Sequence, residues 1–355
     1  MRDYTAAFNH QKVLIVGGAG FVGSNLVAEI LQTSPASHVH IVDNLLSAEL
    51  TNVPVDARVT FTQGSIADDH VLALLQDEYA YIFHLATYHG NQSSIHNPLA
   101  DHENNTLTTL KLFEKIKHFT NCRKVVYSSA GCAVAEKTFG EACASKELDV
   151  VNLDMDSPYS ISKIIGEFYA KYYGKQHRVP IVRARFQNVY GPREILGAGE
   201  WRGTPATVWR NVIPTFIYRS LKKEALPLEN AGIATRDFIY VQDIVGGLIH
   251  CALYGESGEV YNLASGKEMT IFELAQTINR LTKNPTPLEF LPKRSWDNSG
   301  KRFGCPEKAF KNLGFKAQTS FEEGLQKTIA WTQMQLPLIE KTMAKHGQRM
   351  SETSL

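Results

Sequence analysis

The sequence has few cysteines, and their spacing suits neither disulfide bonds nor zinc. Five occur among 355 residues, at positions 122, 132, 143, 251 and 305, without a Cys-x-x-Cys pair or a histidine at zinc-like spacing. A disulfide framework and a structural zinc site are therefore not expected, and we predict no metal ligands. Such cysteine usage is typical of a reducing compartment, so we expect the protein in the cytoplasm.

Long apolar runs and an excess of charge of one sign are also missing. No apolar run reaches the length of a bilayer-spanning helix, and the first residues lack the pattern of a secretory signal. Lysines and arginines number 37 and aspartates and glutamates 36, which gives a formal net charge of +1. Proteins that bind nucleic acid or anionic membranes carry a basic surface, so we expect neither as a partner.

Short β-branched runs alternate with helical patterns along the first half of the chain. The runs that predict strands cover residues 13–16, 38–42, 59–63, 81–85, 124–128 and 180–186. Alternating strands and helices are typical of a parallel sheet with helices on both faces. We therefore predict an α/β fold, with a Rossmann-type doubly wound parallel sheet and a smaller, discontinuous α/β substrate-binding lobe.

The lobe boundaries follow changes in composition. After Gly191 and Pro192 the chain becomes rich in Gly, Trp, Arg and Pro over a stretch too long for a simple connection. Strand and helix patterns return near 236–263, and the last residues are polar. The predicted boundaries are 11–190, returning at about 233–266, for the sheet domain, 191–232 and 267–335 for the lobe, and 336–355 for a C-terminal tail.

A glycine-rich turn separates the first strand from the first helix. Gly17, Gly20 and Gly23 form a GxxGxxG pattern, which allows a tight turn, a close backbone approach to a pyrophosphate and packing of helix on strand. Asp43 ends the second strand, where a carboxylate accepts hydrogen bonds from adenosine ribose hydroxyls and repels a 2′-phosphate. The pattern therefore predicts NAD, rather than NADP, as the cofactor.

Tyr159 and Lys163 begin a predicted helix and lie four residues apart on one face. A phenol has an unperturbed pKa of about 10, so it needs neighbouring positive charge to act as a base. Lys163 and a nicotinamide cation would both supply it, which makes Tyr159 a candidate general base. The predicted cofactor contacts are Gly17, Gly20, Phe21, Val22, Gly23, Asp43, Asn44, Ser65, Ile66, Leu85, Ala86, Tyr159 and Lys163.

Further motifs follow in a fixed order. They are His84-Leu85-Ala86, Asn105, VVYSSA at 125–130, RFQNVYGP at 185–192, RDFIYV at 236–241 and Tyr261-Asn262-Leu263. With the glycine turn and the Tyr-x-x-x-Lys pair they resemble the extended short-chain dehydrogenase/reductase family, in its NAD-dependent sugar epimerase/dehydratase branch, over about residues 11–333. The resemblance implies a nucleotide-diphosphate sugar as substrate and a homodimer.

The resemblance also implies that Asn188, Arg236 and Arg294 hold the diphosphate, and guanidinium groups suit such an anion. The loop after the fourth strand and the Trp/Arg-rich stretch add further candidates. The predicted substrate contacts are Tyr88, His89, Asn188, Arg202, Arg236 and Arg294. Because Lys301 is close to Arg294 in the sequence, an acidic sugar is also permitted.

The end of the fifth strand departs from the family pattern. Family members carry Ser or Thr, bound to the reacting hydroxyl, where this chain has Ala130. Either Ser129 replaces it through a shifted turn, or another donor holds the hydroxyl, and the predicted catalytic set is Tyr159, Lys163 and Ser129. Sugar dehydratases carry Asp-Glu at the next two positions, here Gly131 and Cys132, so elimination of water is disfavoured.

These features favour a nucleotide-sugar epimerase that inverts C4. Tyr159 is expected to remove the O4 proton as hydride passes to NAD, and the hydride then returns to the other face of the 4-keto sugar. The alternatives are a nucleotide-sugar dehydrogenase or ketoreductase, a 4,6-dehydratase and a non-catalytic NAD-binding protein.

Overall fold

The computed structural model describes residues 2–88, 90–131, 138–151, 153–155, 157–194, 211–293 and 300–352. Three predicted substrate contacts, His89, Arg202 and Arg294, lie outside these residues, and so does Cys132. The remaining predicted site residues are all described.

A seven-stranded parallel sheet occupies the centre of the molecule. The strands of the described residues are β1 Lys12–Val16, β2 His38–Asp43, β3 Val59–Gln63, β4 Tyr81–His84, β5 Lys124–Ala130, β6 Ile181–Phe186, β7 Asn188–Tyr190, β8 Pro227–Glu229, β9 Thr235–Arg236, β10 Phe238–Tyr240, β11 Val260–Leu263, β12 Met269–Thr270 and β13 Glu289–Leu291. The order across the sheet is β11-β6-β5-β4-β1-β2-β3, with each neighbouring pair parallel. This order confirms the predicted Rossmann-type fold.

Helices connect the strands and cover both faces of the sheet. They are α1 Phe21–Thr33, α2 Asp69–Ala73, α3 Asn91–His96, α4 Pro98–Asp101, α5 Thr108–Ile116, α6 Pro158–His177, α7 Val212–Leu221, α8 Val241–Tyr254, α9 Ile271–Thr282, α10 Phe321–Met334 and α11 Leu336–Glu352. A π-helical turn, His102–Leu107, joins α4 to α5. The helical segment that contains Asn105 therefore begins as a π turn, a feature that often marks functional sites.

The first strand shows how the sheet is buried on both faces. Val13 and Ile15 pack with α1 and α8 on one face, whereas Leu14 and Val16 pack with α5 and α6 on the other. Successive side chains of a strand point to opposite faces, so a strand covered on both sides must be apolar throughout. The continuous apolar runs in the sequence have this origin.

A third apolar core lies in the segments expected to form the lobe. Ile217 of α7, Leu274 of α9 and Leu325 of α10 are completely buried in it. The helix α9 starts with a capping box, in which the side chains of Thr270 and Glu273 each bind the other's backbone N–H. Two separated stretches of chain thus share one core.

Within the predicted C-terminal tail, residues Leu336–Glu352 form α11. Ile339 is completely buried and packs with Tyr218 and Trp331, and Lys222 forms an ion pair with Glu340. The high average polarity of this segment concealed apolar residues at helical spacing, such as Ile339 and Met343. Among the described helices, none combines the length and apolar character needed to cross a membrane.

Candidate active site

A cavity that is open to solvent lies at the carboxyl ends of the sheet strands. It lies where β1 and β4 are neighbours and the strand order reverses, the position at which doubly wound sheets bind ligands. One end of the cavity, the glycine-loop end, consists of the turn 17–23 and Asp43. The other, the β5 end, consists of Ala130, Tyr159 and their neighbours Lys163 and Gln187.

The cavity wall includes the complete set of predicted cofactor contacts. These residues are Gly17, Gly20, Phe21, Val22, Gly23, Asp43, Asn44, Ser65, Ile66, Leu85, Ala86, Tyr159 and Lys163. They come from five separate stretches of chain, and the parallel sheet brings those stretches to one edge.

Two glycines make the turn at the glycine-loop end possible. Gly17 has a φ of +86°, and a Cβ there would lie 2.5 Å from the backbone nitrogen of Ala86. A Cβ at Gly23 would lie 2.1 Å from the carbonyl oxygen of Gly17. Since α1 begins directly after Gly20 without a side-chain cap, its first N–H groups are available to an anion such as a pyrophosphate.

Asp43 is held at the wall of this end by backbone donors. Its Oδ2 accepts a hydrogen bond from the N–H of Ala19 at 3.0 Å, and its Oδ1 accepts one from Leu45 at 2.9 Å. Burial raises the pKa of Asp43, and the backbone hydrogen bonds only partly oppose that effect. Two ribose hydroxyls could donate further hydrogen bonds to the Asp43 carboxylate, because each of its oxygens accepts through more than one lone pair. These hydrogen bonds would favour the ionised form of Asp43.

The helix α6 carries the Tyr-x-x-x-Lys pair into the β5 end. It begins at Pro158, and the Oγ of Ser157 caps it by accepting the N–H of Ser160. Tyr159 and Lys163 are 7% and 3% exposed, and both line the cavity. The Nζ of Lys163 donates to the carbonyl of Ser128 at 3.0 Å and lies 5.8 Å from the centre of the Tyr159 ring. The ammonium group is thereby fixed beside the phenol.

One helical turn further on, Glu167 anchors α6 to the sheet. Its two oxygens accept hydrogen bonds from Arg185 at 2.7 and 2.9 Å, and Arg183 approaches to 3.4 Å. Burial raises the pKa of Glu167, but the hydrogen bonds and charge of Arg185 and a hydrogen bond from Ser129 outweigh burial, so the pKa lies below its ordinary value. The Tyr159–Lys163 pair therefore lies on a helix that a buried ion pair fixes to the sheet.

Asn105, in the π-helical turn, fixes the loop after β4. Its Oδ1 accepts the backbone N–H of Tyr88 at 2.7 Å, while its Nδ2 donates to the carbonyl of Tyr88 and to Asp101. The Nδ2 also reaches the Oγ of Ser162 in α6 at 3.3 Å. The Asn105 motif thus links this loop to the helix that carries the tyrosine.

At the end of β5, the shifted turn considered for Ser129 does not occur. The strand stays in parallel register with β6 up to Ala130, which pairs with Phe186. Ser129 lines the cavity, but its Oγ donates to Glu167 at 2.6 Å. Ala130, which the family resemblance predicts to be Ser or Thr, lines the cavity with a methyl group instead of a hydroxyl.

The side chain of Gln187 occupies the neighbouring space. A Cβ on Gly131 would lie 2.2 Å from its Nε2, and a Cβ on Gly304 would lie 2.5 Å from the same atom. Gln187 lines the cavity, so its amide group is at the β5 end, beside the position of the first dehydratase carboxylate. Gln187 was not predicted, although it lies inside the motif RFQNVYGP, because a strand-end glutamine carries no signal for the direction of its amide.

The predicted substrate contacts are only partly brought together. Asn188 lines the cavity, but Tyr88 and Arg236 are not part of its wall. Tyr88 is 5% exposed, and the Nη1 of Arg236 donates to the carbonyls of Thr235 and Gly300. Other residues of the wall were not predicted from the sequence, among them Leu46, Ser47, Ala48, Thr87, Asn104, Thr108, Gln187, Glu194, Asn211 and Arg302.

The glycine-loop end fits a dinucleotide. The absent side chains of Gly17 and Gly23 leave room for backbone to approach a pyrophosphate, and Asp43 lies where the adenosine ribose would bind. A model of the NAD-dependent epimerase/dehydratase family matches residues 13–264. The chain belongs to this family.

Solved structures of other family members agree with this assignment. The enzyme WbmF of Bordetella bronchiseptica, crystallised with NAD+ and UDP, is 58% identical over 98% of this chain and 99% of its own, with a TM-score of 0.85. The epimerase Mth375 of Methanothermobacter thermautotrophicus is 36% identical over 96% and 97%, with a TM-score of 0.87. WbmF has also been crystallised with NAD+ alone and with NADH, which supports NAD as the cofactor of this family member.

Relatives within the family differ in reaction. A putative UDP-glucose 4-epimerase of Methanocaldococcus jannaschii is 26% identical over 90% of this chain and 97% of its own. A trifunctional UDP-glucose 4,6-dehydratase, epimerase and reductase of Arabidopsis thaliana is 25% identical over 91% of this chain and 47% of its own. The chain therefore spans about half the length of the trifunctional plant enzymes. The family is common to epimerases and dehydratases, so the reaction has to be argued from the site.

Proposed function

We propose that the protein is an NAD-dependent nucleotide-sugar epimerase that inverts C4 of a sugar carried on uridine diphosphate. The observation that carries this proposal is the β5 end of the cavity, where Tyr159, Lys163 and Gln187 line the wall and Gly131, beside Gln187, stands at the first position of the dehydratase carboxylate pair. The epimerase Mth375 and the 4-epimerase relative support the reaction class, and the UDP bound to WbmF supports the nucleotide.

Tyr159 acts as the base in this proposal. When bound, NAD would accept a hydride from the ring carbon of the sugar and return a hydride to that carbon. Tyr159 removes the proton of the adjacent hydroxyl and later returns it, while the ammonium group of Lys163 stabilises the phenolate. Both residues are buried, so water does not compete strongly for these charges.

Gln187 supplies the second hydrogen bond to the reacting hydroxyl. A side-chain amide offers a donor and an acceptor, and therefore replaces the missing Ser or Thr hydroxyl at Ala130. Ser129 is less suited to this task because its hydroxyl is donated to Glu167. With Gln187 in this role, the active site can bind the reacting hydroxyl although residue 130 is alanine and has no hydroxyl of its own.

Elimination of water is not part of the proposed reaction. A dehydratase has to remove a carbon-bound proton and protonate a leaving hydroxyl, which requires acid and base groups near neighbouring carbons. Gly131 has no side chain for this chemistry, and the amide of Gln187 occupies the adjacent space. Transfer of a hydride away from the sugar and back needs no such groups.

A homodimer is part of the proposal. Ile161, Phe168 and Tyr172 are 45%, 61% and 53% exposed and follow helical spacing on α6. Exposed apolar faces of this kind support association with a second copy.

The test begins with purified protein and a panel of UDP-sugars labelled with deuterium at C4, in ordinary water, followed by NMR. We expect one sugar to become its C4 epimer with the label retained and without net formation of NADH. Net NADH formation would instead identify a dehydrogenase. Exchange of another carbon-bound hydrogen with solvent during inversion would show a proton-transfer epimerase and contradict the proposal.

The Tyr159→Phe variant is expected to lower kcat by at least about 100-fold, because general base catalysis contributes about 100- to 10,000-fold. Its affinity for NAD, measured by calorimetry, should stay close to that of the wild type. Full activity in this variant would exclude Tyr159 as the base.

A further inference from the structure

Arg302 is a buried cation that the proposed mechanism does not use. It is 9% exposed and lines the same cavity as Tyr159 and Lys163. Its Nη1 is fully enclosed, yet it has no hydrogen-bond partner among the described residues. An enclosed charged donor without a partner costs several kcal/mol in general, so a site that retains one is built for a ligand.

The surroundings of Arg302 place it at the β5 end of the cavity. Burial alternates along residues 301–304, with Arg302 and Gly304 buried and their neighbours half-buried. Asp237 fixes this segment by accepting the N–H of Gly304 at 3.2 Å, and Thr235 accepts the N–H of Arg302 at 3.1 Å. Gly304 itself packs against the amide of Gln187. The segment that carries Arg302 therefore passes the β5 end of the cavity next to Gln187, and Arg302 lines that cavity.

A second buried arginine shows what a structural guanidinium looks like in this protein. Arg185 is 4% exposed, and two of its nitrogens donate to Glu167 at 2.7 and 2.9 Å. Its charge is neutralised within the fold. Among the described carboxylates of the cavity wall, Asp43 lies at the glycine-loop end and Glu194 accepts a hydrogen bond from Asn211. Neither carboxylate satisfies the Nη1 of Arg302.

We infer that Arg302 receives a carboxylate on the sugar, so that the substrate is a nucleotide-activated acidic sugar of the uronic type. This inference rests on the proposed function. A guanidinium group can bind a carboxylate with two parallel hydrogen bonds, which satisfies the enclosed nitrogen and neutralises both charges. The diphosphate is the other anion of such a substrate. Since Gly304, two residues after Arg302, packs against Gln187 at the end where the sugar is proposed to react, the sugar carboxylate is the anion that we assign to Arg302.

Binding measurements test this inference without requiring turnover. Calorimetry on the NAD-loaded protein compares UDP, UDP-glucose, UDP-glucuronate and UDP-galacturonate. We expect at least one uronate to bind about tenfold or more tightly than UDP-glucose. The Arg302→Met variant should lose this preference while its affinity for UDP changes by less than about twofold. The Arg302→Lys variant should keep part of the preference, because the charge remains but the paired hydrogen bonds do not.

Two controls make the result specific to Arg302. Lys267→Met removes one positive charge from an exposed position outside the cavity wall and should leave the uronate preference unchanged. The thermal stability of Arg302→Met should equal or exceed that of the wild type, since the described fold gives the enclosed nitrogen no partner to lose.

The outcomes separate the inference from the proposed function. An equal loss of affinity for all four ligands, UDP included, would assign Arg302 to the diphosphate and overturn the inference. So would a wild type that does not prefer either uronate. If Arg302 determines uronate binding but the labelled uronate is never inverted, the inference stands and the proposed epimerase activity is wrong.

Discussion

The two ends of the cavity are built differently. At the glycine-loop end the wall consists largely of backbone. Its geometry requires glycine at positions 17 and 23, because a Cβ at either position would lie too close to backbone atoms. At the β5 end the wall consists of side chains that come from distant stretches of chain, such as Tyr159, Gln187 and Arg302. The glycine-loop end has to fit NAD, a ligand that never varies. The β5 end has to distinguish one sugar from other sugars. Backbone geometry therefore suits the recognition of NAD, and side-chain chemistry suits the recognition of the sugar.

If the β5 end depends on buried charges, Glu167→Gln should give the largest loss of stability. The change leaves Arg183 and Arg185 buried without their carboxylate, and breaking a buried ion pair costs about 3–5 kcal/mol. Denaturant unfolding at neutral pH measures the difference from the wild type. A loss below about 0.5 kcal/mol would mean that the ion pair does not anchor α6.

The same variant gives a pH test. Because the pKa of Glu167 is lowered in the folded protein, its contribution is complete above the unfolded-state pKa of about 4.3 and is lost as the pH falls through the lower folded-state pKa. The stability difference between wild type and variant should therefore be largest near neutrality and shrink in acid. A difference that grew as the pH fell would contradict this assignment.

At the glycine-loop end, adding a single methyl group should be enough to damage the site. Gly23→Ala places a Cβ 2.1 Å from a backbone oxygen, so the turn has to shift away from the pyrophosphate position. We expect NAD affinity to fall by at least about tenfold and stability to fall by about 1–3 kcal/mol, the range for overpacking. Calorimetry and thermal unfolding measure the two effects.

A matched glycine in α6 provides the control. A Cβ on Gly174 would lie 3.7 Å from the nearest atom, the carbonyl oxygen of Val179, which is an ordinary contact. Gly174→Ala should therefore be neutral or stabilising by up to about 1 kcal/mol, with unchanged NAD affinity. Equal damage in both variants would show that the close approach at Gly23 is not what matters.

The smallest effects separate Gln187 from Ser129. Gln187→Ala should lower kcat/KM by about tenfold, the loss expected for one hydrogen bond of about 1.4 kcal/mol in the transition state. Ser129→Ala should leave kcat/KM within about threefold and lower stability by about 1 kcal/mol, because its hydroxyl bonds to Glu167. The reverse pattern would return Ser129 to the catalytic set.

The same contrast explains what could be predicted from the sequence. The glycine turn, Asp43 and the apolar strands were recognised because each depends on local backbone geometry or on burial, which leave a regular pattern in the sequence. The tail at 336–355 was predicted from polarity alone, which gave no sign that residues Leu336–Glu352 form a helix or that Ile339 packs with Trp331. Local composition does not record such a distant contact.

The β5 end was harder to predict because its chemistry depends on the direction of side chains. Tyr159 and Lys163 were identified by their spacing, but Arg302 follows no spacing rule, and its unsatisfied nitrogen becomes visible only after folding. Ser129 shows the opposite case, a residue that the sequence analysis assigned to the site on its position alone. Its hydroxyl was predicted to bind the substrate, but in the register of β5 it donates a hydrogen bond to Glu167. A register determines which face a residue occupies, and single-residue patterns do not reveal it.

The position of Glu167 on α6 has a consequence for how such enzymes diversify. The proposed base Tyr159, its neighbour Lys163 and their anchor Glu167 lie together on one helix, Pro158–His177, whereas Gln187 and Arg302 come from other parts of the chain. Mutations that change the sugar therefore need not disturb the group that removes the proton. The sugar specificity of such an enzyme can therefore change while Tyr159 and Lys163 remain unchanged.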